Sequence, residues 1–176
     1  MNGAPLLGTA ARPGDNLMLY KAIEMAQPGD VIVVAAQGEM ANATVGELMI
    51  TWAERKGVAG FIIDGAIRDV DAIRNMNIPI YAAGINPNGP YKEGPGEINV
   101  PVPLRGVVVR PGDILVGDGV IVISPEEATG ILEKAKAVTV KEIGFMKAIE
   151  ANNWDVSWVD KMLKEKGCEF IEEACK

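Results

Sequence analysis

Hydrophobic and polar positions along this chain change their spacing twice, and each change marks a different kind of element. From Asn16 to Ala26 the apolar residues Leu17, Met18, Ala22, Ile23 and Met25 recur at helical spacing, with Asp15 or Asn16 placed to cap the first turn. Pro28-Gly29-Asp30 stops that helix. Val31-Ile32-Val33-Val34-Ala35-Ala36 then forms a short, continuous, β-branched run, the pattern of a strand covered on both faces of a parallel sheet. The polar stretch Gln37 to Val45 reads as a loop. Gly46 to Lys56 predicts a helix, Gly60 to Asp64 a second buried strand, Val70 to Met76 a short helix and Ile78 to Ala82 a third strand, together a βαβαβ unit.

Beyond Ala83 the pattern is punctuated, with four glycines and three prolines between Gly84 and Gly96. Short apolar runs at Ile98 to Val102, Gly106 to Val109, Ile114 to Val116 and Val120 to Ile123 predict β-hairpins, with Arg110-Pro111-Gly112-Asp113 as a turn. Asp113 and Asp118 read as turn residues. Ser124-Pro125-Glu126-Glu127 opens a helix: Ser caps, Pro suits the first helical position, and the carboxylates suit the positive end of the dipole. Helical spacing continues to about Ala151, and an amphipathic stretch follows from Val156 to Lys166. Trp154, Trp158 and Met162 are spaced for packing against the body or another subunit. With no internal repeat, residues 1–176 are expected to form a single α/β domain, with a core over 10–137 and a C-terminal helical appendage over 138–176.

Composition narrows the chemistry. In 176 residues, 48% are hydrophobic, enough for a core and too many for a disordered chain. No apolar run approaches the roughly 20 residues that span a bilayer, and Met1 to Thr9 lacks the blocks of a signal peptide, so the expected location is cytoplasmic, without a membrane. Against 24 Asp and Glu there are 17 Lys and Arg, a net charge of −7 that argues against a nucleic-acid partner. Histidine is absent, which removes the usual general base, the serine and cysteine triads and most transition-metal sites. Cys168 and Cys175 match neither a disulfide framework nor a zinc site and read as reduced thiols. Catalysis would have to run on carboxylates, Arg, Lys, backbone amides or a hard cation.

In an open α/β sheet, ligands bind beyond the carboxyl ends of the strands. Two segments lead there. Val45-Gly46-Glu47-Leu48-Met49 begins a helix whose unpaired N–H groups can hold an anion, and Gly46 permits close approach. Asp64-Gly65-Ala66-Ile67-Arg68-Asp69 leaves the second strand with a guanidinium beside a carboxylate. The two segments should be neighbours, joining an anion cradle and an Arg to the acids Glu47, Asp64 and Asp69. That set suits Mg²⁺, which takes one or two protein carboxylates and keeps several waters. The plainer reading is that Arg68 and Asp69 only cap the next helix.

Gly46-Glu47-Leu48-Met49 and Gly57-Val58-Ala59-Gly60-Phe61-Ile62-Ile63-Asp64-Gly65-Ala66-Ile67-Arg68-Asp69 resemble the family of 4-hydroxy-4-methyl-2-oxoglutarate aldolase, 4-carboxy-4-hydroxy-2-oxoadipate aldolase and the regulator of ribonuclease activity A. That family carries an acidic residue, twenty intervening positions, then Arg-Asp, as Glu47 and Arg68-Asp69 do. Arg12 to Met18, Gln27 to Asp30, Gly94 to Val102 and Val107 to Asp113 agree, so the resemblance covers roughly residues 10 to 145. Relatives carry a further helical segment before the equivalent of Leu6 and a longer acidic stretch before Gly119-Val120. Some such chains are described as menaquinone methyltransferases, but no convincing glycine-rich site for S-adenosylmethionine is visible.

The resemblance implies a swivelling β/β/α domain with C-terminal helices, assembled as a homotrimer or hexamer with sites between subunits. It implies a pyruvate aldolase dependent on Mg²⁺ or Mn²⁺ that also decarboxylates oxaloacetate, acting on small 2-keto acids. Asp69 would be the metal ligand, Arg68 would contact the keto oxygen, and Glu47 would sit in the metal's outer shell. Gly46 and the amides near Leu48 and Met49 would bind the substrate carboxylate, and Glu142 would reach the site of a neighbouring subunit. Aldol cleavage and decarboxylation both leave a pyruvate enolate, whose oxyanion a Lewis acid and a cation stabilise. A water held by Glu47 or Glu142 could take the C4 hydroxyl proton. A Schiff-base aldolase on Lys21 or Lys92 is the weaker alternative. The other class is a protein that binds and inhibits a ribonuclease, with which the acidic charge is compatible.

Overall fold

The computed structural model describes residues 6–11, 13–94, 96–117 and 119–167. Its chain contacts separate two compact units, 1–128 and 129–176. In the first, β1 (Leu6–Ala11), β2 (Val31–Val45), β3 (Gly60–Ile67), β4 (Ile80–Ile85) and β5 (Gly96–Ile98) form one sheet in the order β4-β3-β2-β1-β5. β1 to β4 run parallel, and β5 is antiparallel on β1. Between them lie α1 (Leu17–Met25), α2 (Glu47–Arg55) and α3 (Val70–Ile73). The expected βαβαβ unit is therefore β2 to β4, and β1 with α1 adds another βα step in the Gly/Pro-containing opening, where no strand was expected.

Alternation along the strands sorts side chains to two faces. Ile32 and Val34 of β2 and Phe61 and Ile63 of β3 bury against Leu19, Ile23, Ile50 and Ala53 from the helices. Val33, Ala35 and Ile62 point the other way, into a second core with Val102 and Val109. Those two residues come from a hairpin, β6 (Val102–Leu104) with β7 (Val107–Val109), and a further hairpin pairs β8 (Ile114–Gly117) with β9 (Val120–Ile123). The layers are thus hairpins, sheet and helices. The continuous apolar run of β2 is what a strand with cores on both faces requires.

Two differences from the expected elements have local causes. β2 runs on through the polar stretch expected to be a loop, but its register with β3 jumps between Val34, Glu39, Ala43 and Val45. Gln37 and Gly38 take left-handed backbone there, so the strand leaves the sheet and returns with Ala43, Thr44 and Val45 buried. The amides of Asn86 and Asn88 satisfy the Met40 and Ala41 carbonyls on that excursion. The strand expected over Ile98 to Val102 is split, because Asn99 at φ 60° ends β5 before β6 begins. Asp113 is the turn residue expected, its carboxylate accepting from the Arg110 N–H at 2.8 Å. Asp118, Arg12 and both cysteines lie outside the described residues.

Asp15 fastens the loop after β4 to the start of α1. Its Oδ1 accepts from Leu17 N–H at 2.8 Å, and its Oδ2 accepts from Glu93 N–H at 2.6 Å and Gly94 N–H at 2.9 Å. The residue is 3% exposed, so an Ala substitution strands buried donors. Asp15→Ala is expected to cost about 2–4 kcal/mol in urea unfolding; a loss under about 0.5 kcal/mol would show that the clamp is not needed.

The helix α4 (Pro125–Glu150) starts with Glu126 and Glu127 in its first turn and continues into the second unit. There α5 (Ser157–Glu165) follows, and Phe145 and Trp154 meet with ring centroids 6.4 Å apart. Asp155 accepts from the Ser157 N–H at 2.9 Å, and the Ser157 backbone and hydroxyl together hold its carboxyl below the usual carboxylate value. Trp158 and Met162 lie one turn apart on α5, both exposed. Among the described residues no helix is long and apolar enough to cross a membrane.

Candidate active site at the ends of β2 and β3

The carboxyl ends of β2 and β3 lie side by side, with Val45 paired to Ile67 and the Arg68 N–H donating to the Val45 carbonyl at 3.0 Å. This pairing brings the two predicted segments together. Gly46 is buried and extended at φ −145°, immediately before α2. Asp69 follows Arg68 in left-handed backbone, φ 58° and ψ 35°, a conformation that Asp tolerates better than most residues. Its turn carries the side chain away from α3, the helix it precedes, and towards α2. Asp69 Oδ2 accepts from the Glu47 N–H at 3.1 Å and lies 3.5 Å from Arg68 Nε. The plainer reading, a cap on the next helix, is therefore not what the side chain does: Asp69 caps α2 across the site and makes no side-chain cap bond to α3.

Absence of a side chain at Gly46 makes the arrangement possible. A Cβ there would overlap Asp69 Oδ2 and stand 2.9 Å from both Cγ and Nε of Arg68. On the far side, Gly89 brings the loop after β4 close to Arg68, where an added Cβ would be 3.4 Å from Nη1. The Asn42 amide holds that loop by donating to the Gly89 carbonyl at 2.7 Å, and the Ala43 N–H donates to the Asn88 carbonyl at 2.9 Å. Asn42, Asn88 and Gly89 were not singled out from the sequence. Asn-Pro-Asn-Gly at 86–89 is a turn signal, but only the strand order shows what the turn lies against.

Leu48 and Met49 occupy the first turn of α2, whose N–H groups have no acceptor within the helix. Their side chains diverge: Leu48 is 82% exposed, whereas Met49 is buried and its sulfur accepts from the Asn16 amide at 3.1 Å. Asn16 also donates to the Thr44 carbonyl at 3.0 Å, so one buried amide ties the start of α1 to the ends of β2 and α2. Glu47 is exposed at the mouth. Glu142 lies exposed on α4 in the second unit. Asp64 is not with the other acids: it shares the hairpin side of β3 with Ile62 and pairs with Arg105 at 3.2 Å. Lys21 is paired with Glu24 at 2.8 Å, and Lys92 Nζ lies 5.2 Å from the Tyr20 ring centroid. The Lys21 ammonium holds the Glu24 carboxyl below its usual value.

Among the described residues no group of three or more acidic or thiol side chains converges as a closed metal cage. An open site of the Mg²⁺ or Mn²⁺ kind fits the residues present. Asp69 offers a hard carboxylate, 42% exposed, that packs through its Oδ2 against the bare Cα of Gly46 and the Glu47 N–H.

The chain is thus a three-layer β/β/α domain with an Arg-Asp pair set against a helix N-terminus at the strand ends. The chain belongs to the RraA-like family (Aldolase/RraA), whose profile matches residues 5–122. It is 40% identical over 153 residues to a protein of Halalkalibacterium halodurans provisionally named 4-hydroxy-4-methyl-2-oxoglutarate aldolase, covering 85% of this chain and 73% of that one. Two solved structures are similar. One, of Streptomyces coelicolor RraAS2, is described as an unusual member of the RNase ES inhibitor RraA protein family; it has a TM-score of 0.73, 30% identity and coverage of 82% of this chain and 77% of that one. The other, from Geobacillus kaustophilus, bears the name S-adenosylmethionine: 2-dimethylmenaquinone methyltransferase, with a TM-score of 0.66, 34% identity and coverage of 69% and 76%.

Proposed function

We propose that this chain is a divalent-metal-dependent lyase that cleaves 4-hydroxy-2-keto diacids to pyruvate and a second keto acid, and that it decarboxylates oxaloacetate at the same site. The observation that carries the reading is the contact of Arg68, Asp69 and the α2 N-terminus across Gly46. A cation held by Asp69 would supply Lewis-acid polarisation of the keto oxygen.

The chain's own residues account for the rest. The first-turn N–H groups at Leu48 and Met49 bind the substrate carboxylate, favoured by the helix dipole. Arg68 donates to the keto oxygen. When the bond between C3 and C4 breaks, its electron pair moves into the pyruvyl unit, and the guanidinium meets the oxyanion that forms. The C4 hydroxyl loses its proton and becomes the carbonyl of the second product; water held by Glu47, or by Glu142 of a neighbouring copy, accepts that proton. Protonation at C3 completes pyruvate. In oxaloacetate, loss of carbon dioxide delivers the same electron pair without a hydroxyl proton. The reading includes assembly as a homotrimer or hexamer, which would bring Glu142 to another copy's site.

Purified protein incubated with oxaloacetate is expected to release pyruvate faster with Mg²⁺ or Mn²⁺ than the metal alone does, and EDTA should abolish the difference. Turnover no faster than the free metal would remove the lyase reading. The second reading, a binder that inhibits a ribonuclease, is favoured by the likeness to the Streptomyces coelicolor protein; a pull-down with an RNase E-type enzyme and an RNA-cleavage assay would then be positive.

A further inference from the structure

A second concavity lies on the hairpin side of the sheet. There a cavity of about 460 Å³ is walled by Ile62, Leu104, Val107, Val120 and Val122, and carries Asp64, Arg105 and Tyr81 on its lining. Apolar walls with a few convergent polar groups are the usual make-up of a small-molecule pocket of this size. Asp64 is largely buried, with 12% of its side chain exposed, whereas Arg105 is 69% exposed. They touch through one contact, Arg105 Nε to Asp64 Oδ1 at 3.2 Å. Among the described residues the terminal nitrogens of Arg105 and the other Asp64 oxygen have no recorded partner, so the pair presents separated donors and an acceptor to the cavity.

Two backbone features hold this arrangement. Arg105 and Gly106 form the two-residue turn between β6 and β7, with φ 46° and 90°. The first position of such a turn favours Asn, Asp or Gly, and a long side chain there is strained. With its guanidinium side 69% exposed, a single-contact pair of this kind adds little stability in return, and the turn fixes where the guanidinium is held. Across the cavity, Gly117 makes room for the Tyr81 hydroxyl, which would be 2.5 Å from a Cβ at that position.

We infer that this cavity binds a small zwitterion with an apolar side chain, of the α-amino-acid class: its carboxylate on the free Arg105 nitrogens, its ammonium on Asp64, and its side chain against the valine and leucine wall. The site is built from β3, β4 and the two hairpins and does not use Arg68, Asp69 or α2, so it stands apart from the lyase reading.

Three probes with one apolar side chain test both charges. In isothermal titration with the full chain, L-leucine is expected to bind, while 4-methylpentanoate, without the ammonium, and 3-methylbutylamine, without the carboxylate, should each bind about tenfold or more weakly. Arg105→Leu and Asp64→Asn should each weaken leucine binding by a similar factor of about ten, with Arg68→Ala unchanged. Arg105→Lys keeps the charge and covers the case in which Arg105→Leu fails to fold; losing the planar fork, it too should bind leucine more weakly. No heat from millimolar leucine on folded wild-type protein, undiminished binding in the folded variants, or equal binding of 4-methylpentanoate would overturn the inference. None of these outcomes bears on pyruvate release at Arg68.

Discussion

Arg68→Ala is expected to lower pyruvate formation from oxaloacetate by about 10²- to 10³-fold while leaving the fold intact. The rate effect follows from where charge develops. A guanidinium aimed at the forming oxyanion stabilises the transition state more than the neutral keto group, so its loss should fall on kcat. The small effect on stability follows from exposure: Arg68 is 39% exposed and its 3.5 Å contact with Asp69 is a surface pair, contributing under about 1 kcal/mol. Arg68→Lys should recover little, because a single ammonium cannot reproduce the planar fork. Steady-state kinetics beside thermal melts separate the outcomes, and a variant with more than a tenth of wild-type kcat would remove Arg68 from the chemistry.

Gly46→Ala is expected to have the next largest effect, reducing kcat/KM by about 10²-fold and weakening Mg²⁺ activation. Its backbone lies at φ −145°, which any residue adopts, so the substitution acts through space and not through backbone strain. The new methyl group would overlap Asp69 Oδ2 and crowd Arg68, forcing both side chains away from the α2 N-terminus. Asp69→Asn is the companion variant. It keeps an acceptor for the Glu47 N–H and so keeps the cap, but lacks the charge that would hold a cation. Melting close to wild type with metal activation lost would separate capping from metal binding. Unchanged metal dependence in Asp69→Asn would mean that the carboxylate serves only as a cap.

What could be read in the one-dimensional chain was whatever depends on near neighbours. Val31 to Ala36 must be a doubly covered strand because no residue in the run could face water, and Pro28-Gly29 and Ser124-Pro125 mark boundaries through local backbone chemistry. The twenty-position gap between Glu47 and Arg68 spans one α2-β3 return, so two strand ends and the residues on them meet. Distances set by hydrogen bonds between remote segments were not legible. The polar course of β2 conceals a strand because its carbonyls are satisfied by Asn86 and Asn88, more than forty positions away. Asp64 reads as one more acid beside Arg68-Asp69, yet the two-residue period of a strand turns it to the hairpin side, where Arg105 meets it. Sequence by itself determined the layered α/β architecture and the meeting of Gly46 with Arg68-Asp69, since both follow from periodicity and a short crossover. Only the tertiary structure decided that Asp69 caps α2 rather than its own helix and that Asp64 belongs to a second cavity, because the direction of a side chain depends on the backbone twist at its residue and on what the neighbouring strand leaves open.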